Sequence, residues 1–112
     1  MRRTLLTLLT LLTVGGCLGD AARQRTLLPA MRSAWVGVRA DAASGGATDA
    51  VLTAMDEALA SGEPLAVQLA WLPVMASAQA SLAGLSDGLA EFRGQRIDQF
   101  NRAVEALNGH GD

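Results

Sequence analysis

Between Pro64 and Ser86 the chain runs for 23 residues without one charged side chain. At helical spacing, Leu65, Leu69, Leu72 and Ala76 fall on one face and Val67, Trp71, Val74 and Ala78 on another. A helix apolar around most of its circumference sits at the centre of a bundle or in lipid. The stretch is long enough to span, since a bilayer core takes about 20 residues. Gln68 and Gln79, three serines (77, 81 and 86) and many alanines dilute it, which favours a central packed helix. Pro64 suits a first helical turn. Pro73 lies inside, removes the hydrogen bond to the Leu69 carbonyl and should kink the segment.

The neighbouring segments read as helices that could surround it. Pro29 points to a helix capped at Thr26 and running to about Ala43, with Leu28, Met31, Trp35 and Val38 inward and Arg32 and Arg39 on the other side. Ser44-Gly45-Gly46-Ala47 reads as a loop. Thr48 caps a second helix that ends at Ser61-Gly62, with Asp49 in its first turn and Val51, Leu52, Met55 and Leu59 as its stripe. Asp56 and Glu57 point away from that stripe and read as a solvated face. After a turn over 84–88, with Ser86 or Asp87 as cap, a last helix carries Leu89, Phe92, Ile97, Phe100, Val104 and Leu107 and stops at Asn108-Gly109. Ile97 is the sole isoleucine and strand-forming residues are sparse. The expected fold is all-α: a small antiparallel bundle of about four helices over residues 27–108, with 109–112 as a loose tail.

The N-terminus follows another logic. In MRRTLLTLLTLLTVGGC, Arg2 and Arg3 precede an uncharged run whose apolar core, Leu5 to Val14, is half the length a spanning helix needs. Leucine and threonine surround the whole circumference and leave no polar face, unlike a core helix. Basic start, short apolar core and small residues before a cut site form a secretory signal. The stretch resembles the lipobox signal of bacterial lipoproteins: an aliphatic residue, two small residues, then cysteine, here Val14, Gly15, Gly16 and Cys17. The resemblance covers only the export segment. It implies diacylglyceryl attachment to Cys17 and cleavage before it, with residues 1–16 as signal peptide and 17–26 as acylated cysteine and tether. The Arg2-Arg3 pair also loosely resembles a twin-arginine signal, but the polar residues expected before it are absent. Two acyl chains give stable membrane attachment where one is marginal. Leu18 after the cysteine favours the outer membrane in a Gram-negative cell.

Composition removes several function classes. Loss of residues 1–16 leaves 96 residues, one small domain, and seven arginines against eleven acidic residues, a formal −4. An acidic exported domain lacks the basic face that nucleic acid requires. With Cys17 acylated no thiol remains for a disulfide or a thiolate metal site.

The remaining polar residues build no expected catalytic or metal site. His110, the only histidine, lies in the tail without companions. The serines therefore lack a fixed histidine, and adjacent Asp56 and Glu57 diverge on a helix. A pocket beside the Pro73 kink is the one ligand site the pattern offers. Arg93 and Arg96 fall inside the apolar sector of the last helix. Either they form an anion or acidic-partner site, or their stems snorkel at the bundle edge, or they pair with Asp56, Glu57 or Glu63. Trp35 and Trp71, each on an apolar face, are expected in the core. The expectation is a non-enzymatic lipoprotein without cofactor or metal, held to lipid on the periplasmic or extracellular side through Cys17 and acting on an envelope protein. It is similar in type to small accessory lipoproteins of bacteria and phages. The alternative is a membrane-active protein that uses residues 64–86 for lysis or membrane perturbation.

Overall fold

The computed structural model describes residues 15–109. Residues 1–14, with the uncharged run and Val14 of the expected signal, and His110 therefore lie outside the described residues. Four helices follow one another: α1 (Gly15–Ser44), α2 (Asp49–Ser61), α3 (Pro64–Ala80) and α4 (Asp87–Leu107). Short turns make successive helices antiparallel, the expected all-α bundle. α1 and α3 form the central pair, α2 and α4 flank it, and the backbones of α2 and α4 do not approach each other closely.

The core is the set of inward stripes: Leu28, Met31, Trp35, Val38 and Ala42 from α1, Leu52, Met55 and Leu59 from α2, Val67, Trp71, Val74 and Ala78 from α3, and Ile97, Phe100, Val104 and Leu107 from α4. Both tryptophans lie in it. Phe100 stands between them, its ring centroid 4.7 Å from Trp71 and 6.0 Å from Trp35.

Local chemistry sets most helix ends. The Thr48 hydroxyl accepts from the Val51 amide at 3.3 Å, as an N-cap does. Gly62 closes α2 in the left-handed region at φ 73°, its amide donating to Ala58. The Asn108 amide group donates to the Pro64 and Val104 carbonyls at 2.9 and 3.0 Å, fastening the end of α4 to the start of α3. Between Ser44 and Asp49 the chain needs glycine for space: a Cβ on Gly45 would lie 1.7 Å from the Ser77 carbonyl oxygen. The C-terminal ends of α1 and α3 approach that closely.

Four expectations need correction. Thr26 does not start a helix. α1 is helical from Gly15, so the backbone of 17–26 is helix and Pro29 lies inside it. The Thr26 hydroxyl donates back to the Ala22 carbonyl at 3.1 Å. The good helix formers Ala21 to Arg25 outweigh one lost bond at Pro29. Second, α3 ends at Ala80, short of Ser86. The amides of Leu82 and Ala83 bond three residues back, the Ser81 hydroxyl donates to Ala78, and Gly84 takes φ 100°. Third, α4's stripe turns inward only from Ile97, while Leu89 and Phe92 are exposed. Arg93 and Arg96 hold the inward positions of that half. Fourth, Leu65, Leu69 and Leu72 do not pack; they are 58, 61 and 55 % exposed. α1, α2 and α4 cover three sides of α3 and leave the fourth open.

Candidate functional site

Two features carry the unusual chemistry: a buried carboxylate with two arginines, and the open face of α3.

Asp41 lies in the last turn of α1 and is only 3 % exposed. The Arg96 Nη2 donates to its Oδ2 at 2.8 Å, and the Arg93 Nη1 stands 3.5 Å from Oδ1. Each arginine side chain keeps about a third of its surface, 30 % for Arg93 and 33 % for Arg96. The Arg96 guanidinium lies over the Phe92 ring, 5.6 Å from its centroid. Its Nε is buried without a hydrogen-bond partner. On its other side stands Gly37, where a Cβ would come within 2.7 Å of Nη1 and 3.0 Å of Cζ. Gly37 thus makes the slot that lets the guanidinium reach Asp41. The arginines do pair across the bundle, but with Asp41 and not with Asp56, Glu57 or Glu63.

Asp41 carried a readable signal. It lies three residues after Val38, on the inward side of α1, and antiparallel pairing sets the end of α1 against the first half of α4. An acidic residue at a core spacing, opposite two arginines at core spacings, identifies the pair once the topology is drawn.

A second cluster revises the reading of Asp56 as a solvated residue. Its carboxylate accepts from the Trp35 Nε1 at 2.6 Å and from Arg39 at 2.9 and 3.0 Å. The Arg39 hydrogen bond holds the Asp56 carboxyl below the usual carboxylate range, and the Trp35 bond adds to the effect. Arg32 likewise reaches across to α2. Its Nε and Nη2 donate to the Leu59 carbonyl at 2.9 and 2.7 Å, a cation at a helix C-terminus. Neither Arg32 nor Arg39 is turned away from the bundle; both bridge α1 to α2. The Trp71 indole N–H donates to the Asn101 side-chain oxygen at 2.8 Å, so both tryptophan N–H groups are satisfied.

The open face of α3 is different in kind. Leu65, Leu69, Leu72 and exposed Pro73 and Ala76 form an apolar ridge. Beside it an open groove between α2 and α3 is lined by Ala50, Val51, Ala54, Ala66 and Ala70, with Glu57 at its rim. The ring of Pro73 borders this groove, and α3 runs through it as one helix.

The expected lipid-attachment segment falls partly within the described residues. Gly15, Gly16 and Cys17 form the first turn of α1. Among the described residues no group of three or more His, Cys, Asp and Glu is placed to hold a metal ion, and no helix is long and apolar enough to cross a membrane. Against known proteins, no family model, curated protein or solved structure matches the chain.

Proposed function

We propose that this chain is a small lipid-anchored helical module of the cell envelope, held by acylated Cys17 and acting through protein contacts without catalysis. One observation carries the reading: Arg2-Arg3, a short uncharged core and Val14-Gly15-Gly16 directly precede the chain's sole cysteine. The fold is compatible with it. Gln24 lines a recess with Pro64, Leu107 and Asn108 at one end of the bundle. Cys17 stands seven residues earlier on the same helix, about 10 Å of helical rise. An anchor there holds the bundle by that end on a short helical arm. The ridge Leu65-Leu69-Leu72 is the contact surface this reading uses, because polar solvent is a poor neighbour for three half-exposed leucines side by side.

The experiment is the intact mass of the protein from the membrane fraction, beside a Cys17→Ala variant. Loss of residues 1–16 with a gain of diacylglycerol, both abolished by the substitution, is the expected result. Retention of Met1 to Gly16 with a free thiol removes the anchor and the location together.

A second reading, direct action on the bilayer, is favoured by the same exposed ridge. It is limited to surface contact, since α3 has 17 residues, about 26 Å, and three of its sides are packed. Vesicle leakage caused by the full chain and lost on Leu69→Glu would favour it over the first.

A further inference from the structure

We infer that the outer face of α3 binds a second copy of this chain, two α3 helices meeting in an isologous pair. This rests on the contact reading of that face and not on Cys17. The exposed residues Leu65, Leu69, Leu72 and Ala76 recur at spacings of four, three and four. That is the seam of a two-helix coiled coil, and a seam is complementary to itself under a two-fold axis. Whether the helices meet parallel or antiparallel, Leu69 and Leu72 lie at the centre of the contact.

Charge argues for the same occupant. α3 has no charged residue from Pro64 to Ala80, so a charged partner finds no counter-ion on it. A helix lying on lipid carries Lys or Arg along its polar flanks, and α3 has neither. An uncharged apolar helix is the partner that matches, and an identical α3 is one. Away from this face the chain is acidic, with a formal net charge of −2 in full length. Two copies therefore repel weakly at long range, and salt screens that repulsion.

The area sets the strength. A strip as long as α3, about 26 Å, and one helix wide, about 10 Å, is roughly a third of the ~800 Å² per partner in a standard interface. The pair is accordingly weak, with a dissociation constant of about 10–1000 μM for so small an apolar contact.

The test is sedimentation equilibrium of the full chain with Cys17→Ala, which removes thiol cross-linking, from about 10 μM to 1 mM. Leu69→Glu is compared with Leu89→Glu, which changes an exposed leucine of α4 in the same way. Circular dichroism establishes that each variant keeps its helix content. Expected is a monomer–dimer equilibrium that tightens with salt, weakens at least tenfold in Leu69→Glu and is unchanged in Leu89→Glu. A monomer throughout the range overturns the inference. So does association that survives Leu69→Glu, which would then arise from the leader or another face. Association that is absent in buffer but replaced by Leu69-dependent binding to neutral phosphatidylcholine vesicles also overturns it, and gives the face to lipid. None of these outcomes touches the lipid attachment of Cys17, which the intact mass decides separately.

Discussion

Removing either partner of the Arg96–Asp41 pair should cost different amounts, and the difference follows from burial. Arg96→Ala leaves the Asp41 carboxylate, 3 % exposed, with only Arg93 at 3.5 Å. Stranding a buried charge costs about 3–5 kcal/mol when no partner remains, and the residual arginine reduces this to about 2–3. Loss of the guanidinium over Phe92 adds about 0.5 kcal/mol, giving about 3 in all. Asp41→Ala strands two arginines that already keep a third of their surface and can rotate into water. That loss, about 2 kcal/mol, is offset by about 0.5 from helix propensity. Removing a negative charge from the C-terminal turn of α1 returns about another 0.5 kcal/mol. The net cost is about 1 kcal/mol. Urea unfolding followed by circular dichroism resolves a 2 kcal/mol gap of this kind. The double variant should resemble Asp41→Ala, so it should cost about 3 kcal/mol less than the sum of the two single variants. If Asp41→Ala costs as much as Arg96→Ala or more, Asp41 is not the desolvated member and the account of this cluster is wrong.

Gly37→Ala should destabilise by about 1 kcal/mol despite alanine's better helix propensity, because the new methyl pushes Arg96 off Asp41; in an Asp41→Ala background the sign should reverse, to a gain of about 0.5–1 kcal/mol. Gly45→Ala should cost about 3 kcal/mol or more, read as a lowered urea midpoint, since its Cβ meets a backbone carbonyl that cannot move without separating α1 from α3. The Asp56 carboxyl is held low by Arg39 and Trp35, so its contribution is complete above the unfolded pKa of about 3.9 and is lost as pH falls through the lower folded value. Stability measured from pH 5 downward should therefore fall less steeply in Asp56→Asn than in the native chain, and identical slopes would show that this carboxyl is not depressed by folding.

The sequence alone determined the helical class, the inward stripes of α1 and α2 and the Thr48 and Gly62 ends. These depend on spacing and on side chains that act on their own backbone, so neighbours in sequence suffice. Ile97, Phe100, Val104 and Leu107 obey the same rule; Leu89 and Phe92 extend the pattern but lie beyond the reach of the core. The start of α1 could not be fixed this way, because a proline inside a helix and a threonine near its start point one way while the propensity of Ala21 to Arg25 points the other. Only the tertiary structure decided what Arg93 and Arg96 do. Their partner is 55 residues away for Arg96, and the choice among carboxylates waits on which helices lie side by side. Gly37 was silent for the same reason, as a missing Cβ matters only where another helix sends a side chain into the space. The exposure of Leu65, Leu69 and Leu72 was also decided by packing. Three helices can cover only three sides of α3, and periodicity names the apolar faces of a helix without saying which of them finds a neighbour.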